Sequence, residues 1–323
     1  MKFHLQFPIT PFLKKIHYSD KLLFIGGCFA DNIGKFLTLY KYKTLINPNG
    51  ISYNPISIAI SIKGYIKNSL VSVNELFLFN ECWHSWEHHS TFSFQDKIQT
   101  LNKINNEISL AHKFIKTANY LFITFGSAYV YKHKDSSKRV ANCHKVPSNE
   151  FTKELISVEE IVVTYTNLLN DLKLVNNNLI VIFTVSPVRY IRDGLVENNL
   201  SKAILIQSVH KIKEAHTNAC YFPAYELLMD DLRDYRFYKE DMVHPNDTAL
   251  KYVCDKFIEA AIDEQSQELV GAIREIKDAI QHKPFNTNTV AYEKFRTFNC
   301  EKCKTIQASF SEMDMSNEIA FFS

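Results

Sequence analysis

Four short apolar runs, each closed by a glycine or proline loop, constrain this chain more than any other feature. They are Leu22-Leu23-Phe24-Ile25, Tyr120 to Phe125, Leu179 to Val185 and Ala219-Cys220-Tyr221-Phe222. Runs this short, rich in β-branched and aromatic side chains, read as strands buried on both faces of a parallel sheet. Between them lie stretches of helical period. Segment 100 to 118 places Leu101, Ile104, Ile108, Ala111, Phe114 and Ile115 on one face, and segment 158 to 174 does the same with Ile161, Val162, Tyr165, Leu168, Leu169 and Leu172. Strand and helix in alternation predict βαβ units, hence a three-layer α/β/α arrangement around a mostly parallel sheet. Such sheets bind ligands beyond the C-terminal ends of their strands. Gly26-Gly27-Cys28, Gly126-Ser127, Ser186-Pro187 and Pro223 all fall at such ends.

The 323 residues allow one large domain or two average ones. With 46% hydrophobic and 22% charged residues and a net charge of +2, nothing in the balance points to nucleic acid or an acidic membrane surface. Seven cysteines, an odd number scattered over the chain, argue against a disulfide framework and for a reducing cytoplasm. The first residues lack an apolar core of signal-peptide length, and no run approaches the roughly 20 apolar residues of a membrane helix. Residues 40 to 98, with Trp83, His84, Trp86, His88 and His89, read as an inserted loop region forming a lid or pocket wall. From 263 to 323 a helical C-terminal extension with a poorly ordered end is expected, set off from a main domain over 1 to 262.

Two motifs carry chemistry. Asp241-Met242-Val243-His244-Pro245 presents a carboxylate and an imidazole from one loop turn, the Asp to orient the ring and the His to act as general base. Gly26-Gly27-Cys28-Phe29-Ala30 follows the first strand directly, at the strand-to-helix turn where an α/β protein displays a nucleophile beside free helix N–H groups. A thiol at Cys28 serves as nucleophile if His244 takes its proton; otherwise it is a small buried side chain packing strand on helix. The charge run Asp231, Arg233, Asp234 and Arg236 reads as a solvated ion-pair surface. His84, His88, His89, Cys143 and His144 lack metal-ligand spacing, and Cys300-x-x-Cys303 has no partner pair, so neither a metal nor a cofactor is expected.

The strings Gly26 to Ala30, Asn47 to Pro55, Ala141 to Lys145, Thr184 to Arg189 and Leu232 to Pro245 resemble the GSCFA family, itself similar to SGNH/GDSL-type esterases and acyltransferases. The resemblance covers roughly residues 1 to 262. It implies a flavodoxin-like, SGNH hydrolase-like fold and, as small-molecule substrate, an ester of a small metabolite or saccharide. It puts Cys28 where a GDSL enzyme carries serine, with Asp241 and His244 closing the triad. The family's name implies serine where this chain has Gly27. An oxyanion hole is implied at the N–H groups of Cys28 and Gly50; Ser127 or Asn142 stands in for an asparagine absent from the third loop, and Gly27, His144 and Ser186 complete the pocket. Two rivals stay open: a binding module that has lost the chemistry, and a redox protein using Cys28 and Cys143. The oligomeric state is not legible.

Overall fold

Side chains alternate across a strand, so a strand flanked by helices on both sides must be apolar at every position. That is the pattern of β1 (Lys21–Gly26), β5 (Tyr120–Phe125) and β9 (Ile180–Val185), whose interiors are buried throughout. A computed structural model describes residues 7–310 and 312–323. In chain order it holds β1, α1 (Cys28–Leu39), β2 (Lys43–Ile46), α2 (Pro55–Lys67), β3 (Phe77–Phe79), β4 (Cys82–His84), α3 (Lys97–Ile115) and β5. Then come β6 (Tyr129–His133), β7 (Arg139–Val140), β8 (Phe151–Leu155), α4 (Val158–Val175), β9, α5 (Leu195–Ala215), β10 (Ala219–Tyr221) and α6 (Ala224–Glu226). The chain closes with α7 (Asp247–Ala261), α8 (Glu264–Gln281), α9 (Val290–Ser309) and α10 (Ser316–Phe322).

The central sheet runs β10-β9-β5-β1-β2 with every pairing parallel. Counting only its own strands, the order is 2-1-3-4-5 read from the β2 edge, which is the flavodoxin-like winding. Phe24, Phe122 and Ile182 point to one face, where α1, α7 and α8 cover them. Leu23, Ile25, Ile123, Phe125 and Phe183 point to the other, under α2, α4 and α5. Each such side chain, fully buried, contributes about 1.5–3 kcal/mol.

Two expectations are corrected. The stretch 40 to 98 is not chiefly an insertion: β2 is a strand of the sheet and α2 packs on its face through Ile58, Ile62 and Tyr65. Only the antiparallel β3–β4 hairpin and the loops around it stand outside. β2 escapes a sequence pattern because an edge strand is half exposed, and Lys43-Thr44 dilutes its apolar signal. The C-terminal end is also ordered into α9 and α10, which bury Cys303, Ile306 and Phe322 against the first face. A third small sheet, β7-β6-β8, is antiparallel and walls the site described next.

Candidate active site

β1 ends at Gly26, whose φ of +150° and close approach to Thr124 (an added Cβ would lie 2.5 Å from its carbonyl oxygen) leave room for no side chain. The chain then turns into α1 with Gly27 as N-cap and Cys28 as first helical residue. The first intrahelical bond is Asp31 N–H to the Gly27 carbonyl, so the N–H groups of Cys28, Phe29 and Ala30 precede it. Cys28 is half-buried, its Sγ 4.0 Å from the Tyr53 hydroxyl. Burial, with the neighbouring thiol, pushes the Tyr53 phenol up to about 12. An added Cβ at Gly27 would lie 3.1 Å from the Tyr53 ring, so this aromatic occupies the space beside the position where the family's serine is implied.

Across a cavity of about 860 Å³ stands His244, and Cys28 lines the same cavity. The Asp241 carboxylate accepts His244 Nδ1–H at 2.7 Å and the backbone N–H groups of Val243 and His244 at 2.9 Å each. Those donors hold the Asp241 carboxyl down at about 2, the His244 backbone N–H first among them. With Nδ1 protonated towards the carboxylate, Nε2 is the ring's basic atom. Met242, between the two, has φ of +56°, a conformation costly for a residue with a side chain and held by the turn that brings Asp241 under the ring.

The remaining expected site residues fare differently. Ser127, Asn142, His144 and Ser186 line the cavity, but three of the four have their polar side-chain atoms engaged. Ser127 Oγ accepts Tyr129 N–H at 3.1 Å and lies 3.4 Å from Ser201 Oγ, while the N–H groups of Gly126 and Ser127 both donate to the Tyr53 carbonyl. Ser186 Oγ accepts Val188 N–H at 3.2 Å. The His144 ring bridges Ser90 Oγ and the Ser85 carbonyl, and burial drives it down to about 4, so it stays neutral and structural. Gly50 falls out as an oxyanion donor. Its N–H is given to the Asn47 carbonyl at 2.7 Å, in a turn with φ of +78° where an added Cβ would lie 2.2 Å from His89 Cβ. Asn142 Oδ1 accepts His144 N–H at 2.8 Å, and its Nδ2 makes no hydrogen bond among the described residues. Of the oxyanion donors expected from the sequence, the α1 N–H groups and Asn142 Nδ2 are the ones not spent on other described residues.

Trp86 stacks on Phe77 with centroids 3.8 Å apart and lies behind His144, but neither it nor Trp83, His84, His88 or His89 lines the cavity, to which the stretch 40 to 98 gives only Tyr53 and Asn54. Cys143 lines the cavity too, but burial raises its thiol to about 11, and it forms no disulfide with Cys28. That weakens the redox alternative, which needs a ready thiolate. Sequence reasoning missed Arg189, whose guanidinium stacks on Tyr238 and Tyr235 at 4.2 and 5.1 Å. It also missed Lys202, fully buried below the cavity, with Nζ donating to the carbonyls of Gly126 and Ser186 at 2.7 Å each. Arg189 closes one of the resembling strings and was within reach of sequence. Lys202 carries no sequence signal, being one lysine in a long helix.

A comparison with curated proteins gives no match. Among solved structures, an acetyl xylan esterase from the rumen bacterium Butyrivibrio proteoclasticus aligns at TM-score 0.40 and 10% identity, over 75% of this chain and 63% of its own. A carbohydrate esterase family 3 protein from Talaromyces cellulolyticus aligns at 0.35 and 9%, over 79% and 99%. The chain thus spans 63% of the length of the first of these. Family models match far more directly: the GSCFA family over residues 21–257 and the GSCFA domain protein C-terminal domain over 273–323. The first match alone takes in both Cys28 and the Asp241/His244 turn, and the chain belongs to the GSCFA family.

Proposed function

We propose that this protein is an acyl hydrolase or acyltransferase acting on a small-molecule ester or thioester in the cytoplasm. The carrying observation is Asp241 held 2.7 Å from His244 Nδ1, with the ring lining the cavity that Cys28 lines from the first turn of α1. His244 Nε2 takes the Cys28 proton, and the thiolate adds to the acyl carbon. The oxyanion is met by the N–H groups at the start of α1 and by Asn142 Nδ2. The bond from the acyl carbon to the alcohol oxygen, or to the thiol sulfur of a thioester, breaks; the leaving alcohol or thiol takes the proton from His244, and a thioester to Cys28 remains. Water or an acceptor alcohol, deprotonated by His244, then releases the acyl group and restores the thiol. The seven cysteines form no disulfide, which suits a reducing compartment.

A binding module that has lost the chemistry is favoured by one observation: the second- and third-loop N–H groups at Gly50, Gly126 and Ser127 are spent within the protein. Steady-state turnover of p-nitrophenyl and thioester acyl substrates by wild type, Cys28→Ala and His244→Ala separates the two. Both variants are expected to lose activity by a similar factor, because nucleophile and base act as a unit. Turnover by Cys28→Ala equal to wild type removes Cys28 from its role.

A further inference from the structure

The charge of the cavity is one-sided. Lys145, Arg189 and Arg192 line it, and among the described residues no aspartate or glutamate does. The whole chain holds 37 basic and 35 acidic residues, so the imbalance is local. Two carboxylates close in the chain to lining residues are already engaged: Asp241 with His244, and Asp193, next to Arg192, with Lys153. Arg189 is fixed without being neutralised. Two neighbouring tyrosine rings flank its guanidinium and Nη1 donates to the Met242 carbonyl at 3.4 Å, contacts that carry no negative charge and leave further N–H groups for a ligand. Arg192 and Lys145 line the cavity, form no ion pair among the described residues and are exposed. The field of Arg192 reaches inward, favouring the ionised form of Cys143 against burial. Tyr131 and Tyr190, hydroxyls 3.0 Å apart, line the same space with Tyr129 and make it aromatic as well as cationic.

We propose that the substrate is an anionic ester or thioester, one that places its carbonyl at Cys28 and a phosphate or carboxylate, remote from the reacting carbon, among Arg189, Arg192 and Lys145. The proposal rests on the acyl chemistry given above. Arginine offers such oxyanions a planar fork of donors, and lysine adds a point charge. The anion is unchanged in the reaction. It belongs either to the acyl half or to the carrier half, and the test tells them apart.

The experiment compares kcat/KM within two matched pairs. p-Nitrophenyl hydrogen succinate against p-nitrophenyl butyrate puts the anion on the acyl half; acetyl-coenzyme A against S-acetyl-N-acetylcysteamine puts it on the carrier. In one pair the anionic member is expected to be preferred by about tenfold at low salt, the preference falling as ionic strength rises. Arg192→Gln and Lys145→Gln are each expected to lower that preference about threefold, through KM rather than kcat. Equal kcat/KM within both pairs overturns the proposal and leaves the Cys28 and His244 chemistry standing. If none of the four substrates turns over, the acyl chemistry falls, and calorimetric titration of wild type and Arg192→Gln with succinate and coenzyme A decides the anion site. Salt-sensitive binding weakened in the variant supports the site, and no binding overturns it.

Discussion

Asp241 does three things with one carboxylate: it orients the His244 ring, and it caps the N–H groups of Val243 and His244. Asp241→Asn keeps an oxygen for the backbone donors but replaces the acceptor facing Nδ1–H with an amide, so the ring loses the partner that fixes its tautomer. A fall in kcat of about 10²–10⁴-fold with little change in KM is expected. Steady-state kinetics on a variant whose thermal melt matches wild type would show it, and a loss below tenfold would remove Asp241 from the mechanism. The pair was legible in sequence because residues three apart on one turn meet whatever the rest of the chain does. Gly50 was not, since nothing local announces that the Asn47 carbonyl takes its N–H. Nor was the engagement of His144, whose partners Ser85 and Ser90 come from a loop more than 50 residues earlier.

At the level of elements, the floor of the cavity is the junction of β5 and β9 with α5. That helix turns Asn198, Ser201 and Lys202 inward near its start and leaves Leu195, Val196 and Leu200 exposed. The pattern is therefore inverted over its first two turns, while Leu205, Val209 and Ile212 are buried farther along, and this mixture is why no amphipathic helix was readable over 195 to 215 while α3 and α4 were plain. The inward residues tie strand ends: Lys202 joins the Gly126 and Ser186 carbonyls, and Ser201 Oγ accepts Ala128 N–H at 2.8 Å. Burial lowers the Lys202 ammonium from 10.5 to about 7. The unfolded chain then binds the proton more tightly than the folded one, so this group's contribution to stability rises as pH rises from 7 and is lost as pH falls back. Between pH 7 and 9 wild type is expected to gain about 2 kcal/mol relative to Lys202→Met, read from urea unfolding of both at each pH. A difference that stays flat over that window would mean the lysine remains charged in the folded protein.

Over the whole molecule, the C-terminal helices complete the first face of the sheet. α8 packs Leu269, Val270, Ile273 and Ile276 onto it, and α9 and α10 cover that layer with Cys300, Cys303, Ile306 and Phe322. Lys41 reaches back to Glu318 at 2.8 Å, joining the end of α1 to α10. Removal of residues 284–323 uncovers a continuous apolar surface. It is expected to cost several kcal/mol of the 5–15 typical of a domain, seen as a lower urea midpoint and binding of a hydrophobic dye. An unchanged midpoint would make the extension an independent appendage. Among the described residues no helix is long and apolar enough to cross a membrane. The sequence by itself determined the parallel sheet, its glycine turn at Cys28 and the Asp241/His244 pair, because strand alternation, helix period and a three-residue turn are properties of single short segments. Only the tertiary structure decided which polar groups stay free. A donor is spent or left over, and a cavity acidic or basic, according to what distant segments bring beside it. Arg189 from the β9 loop, Lys145 from the loop before β8 and Cys28 from the start of α1 meet in one cavity only once the sheet has closed.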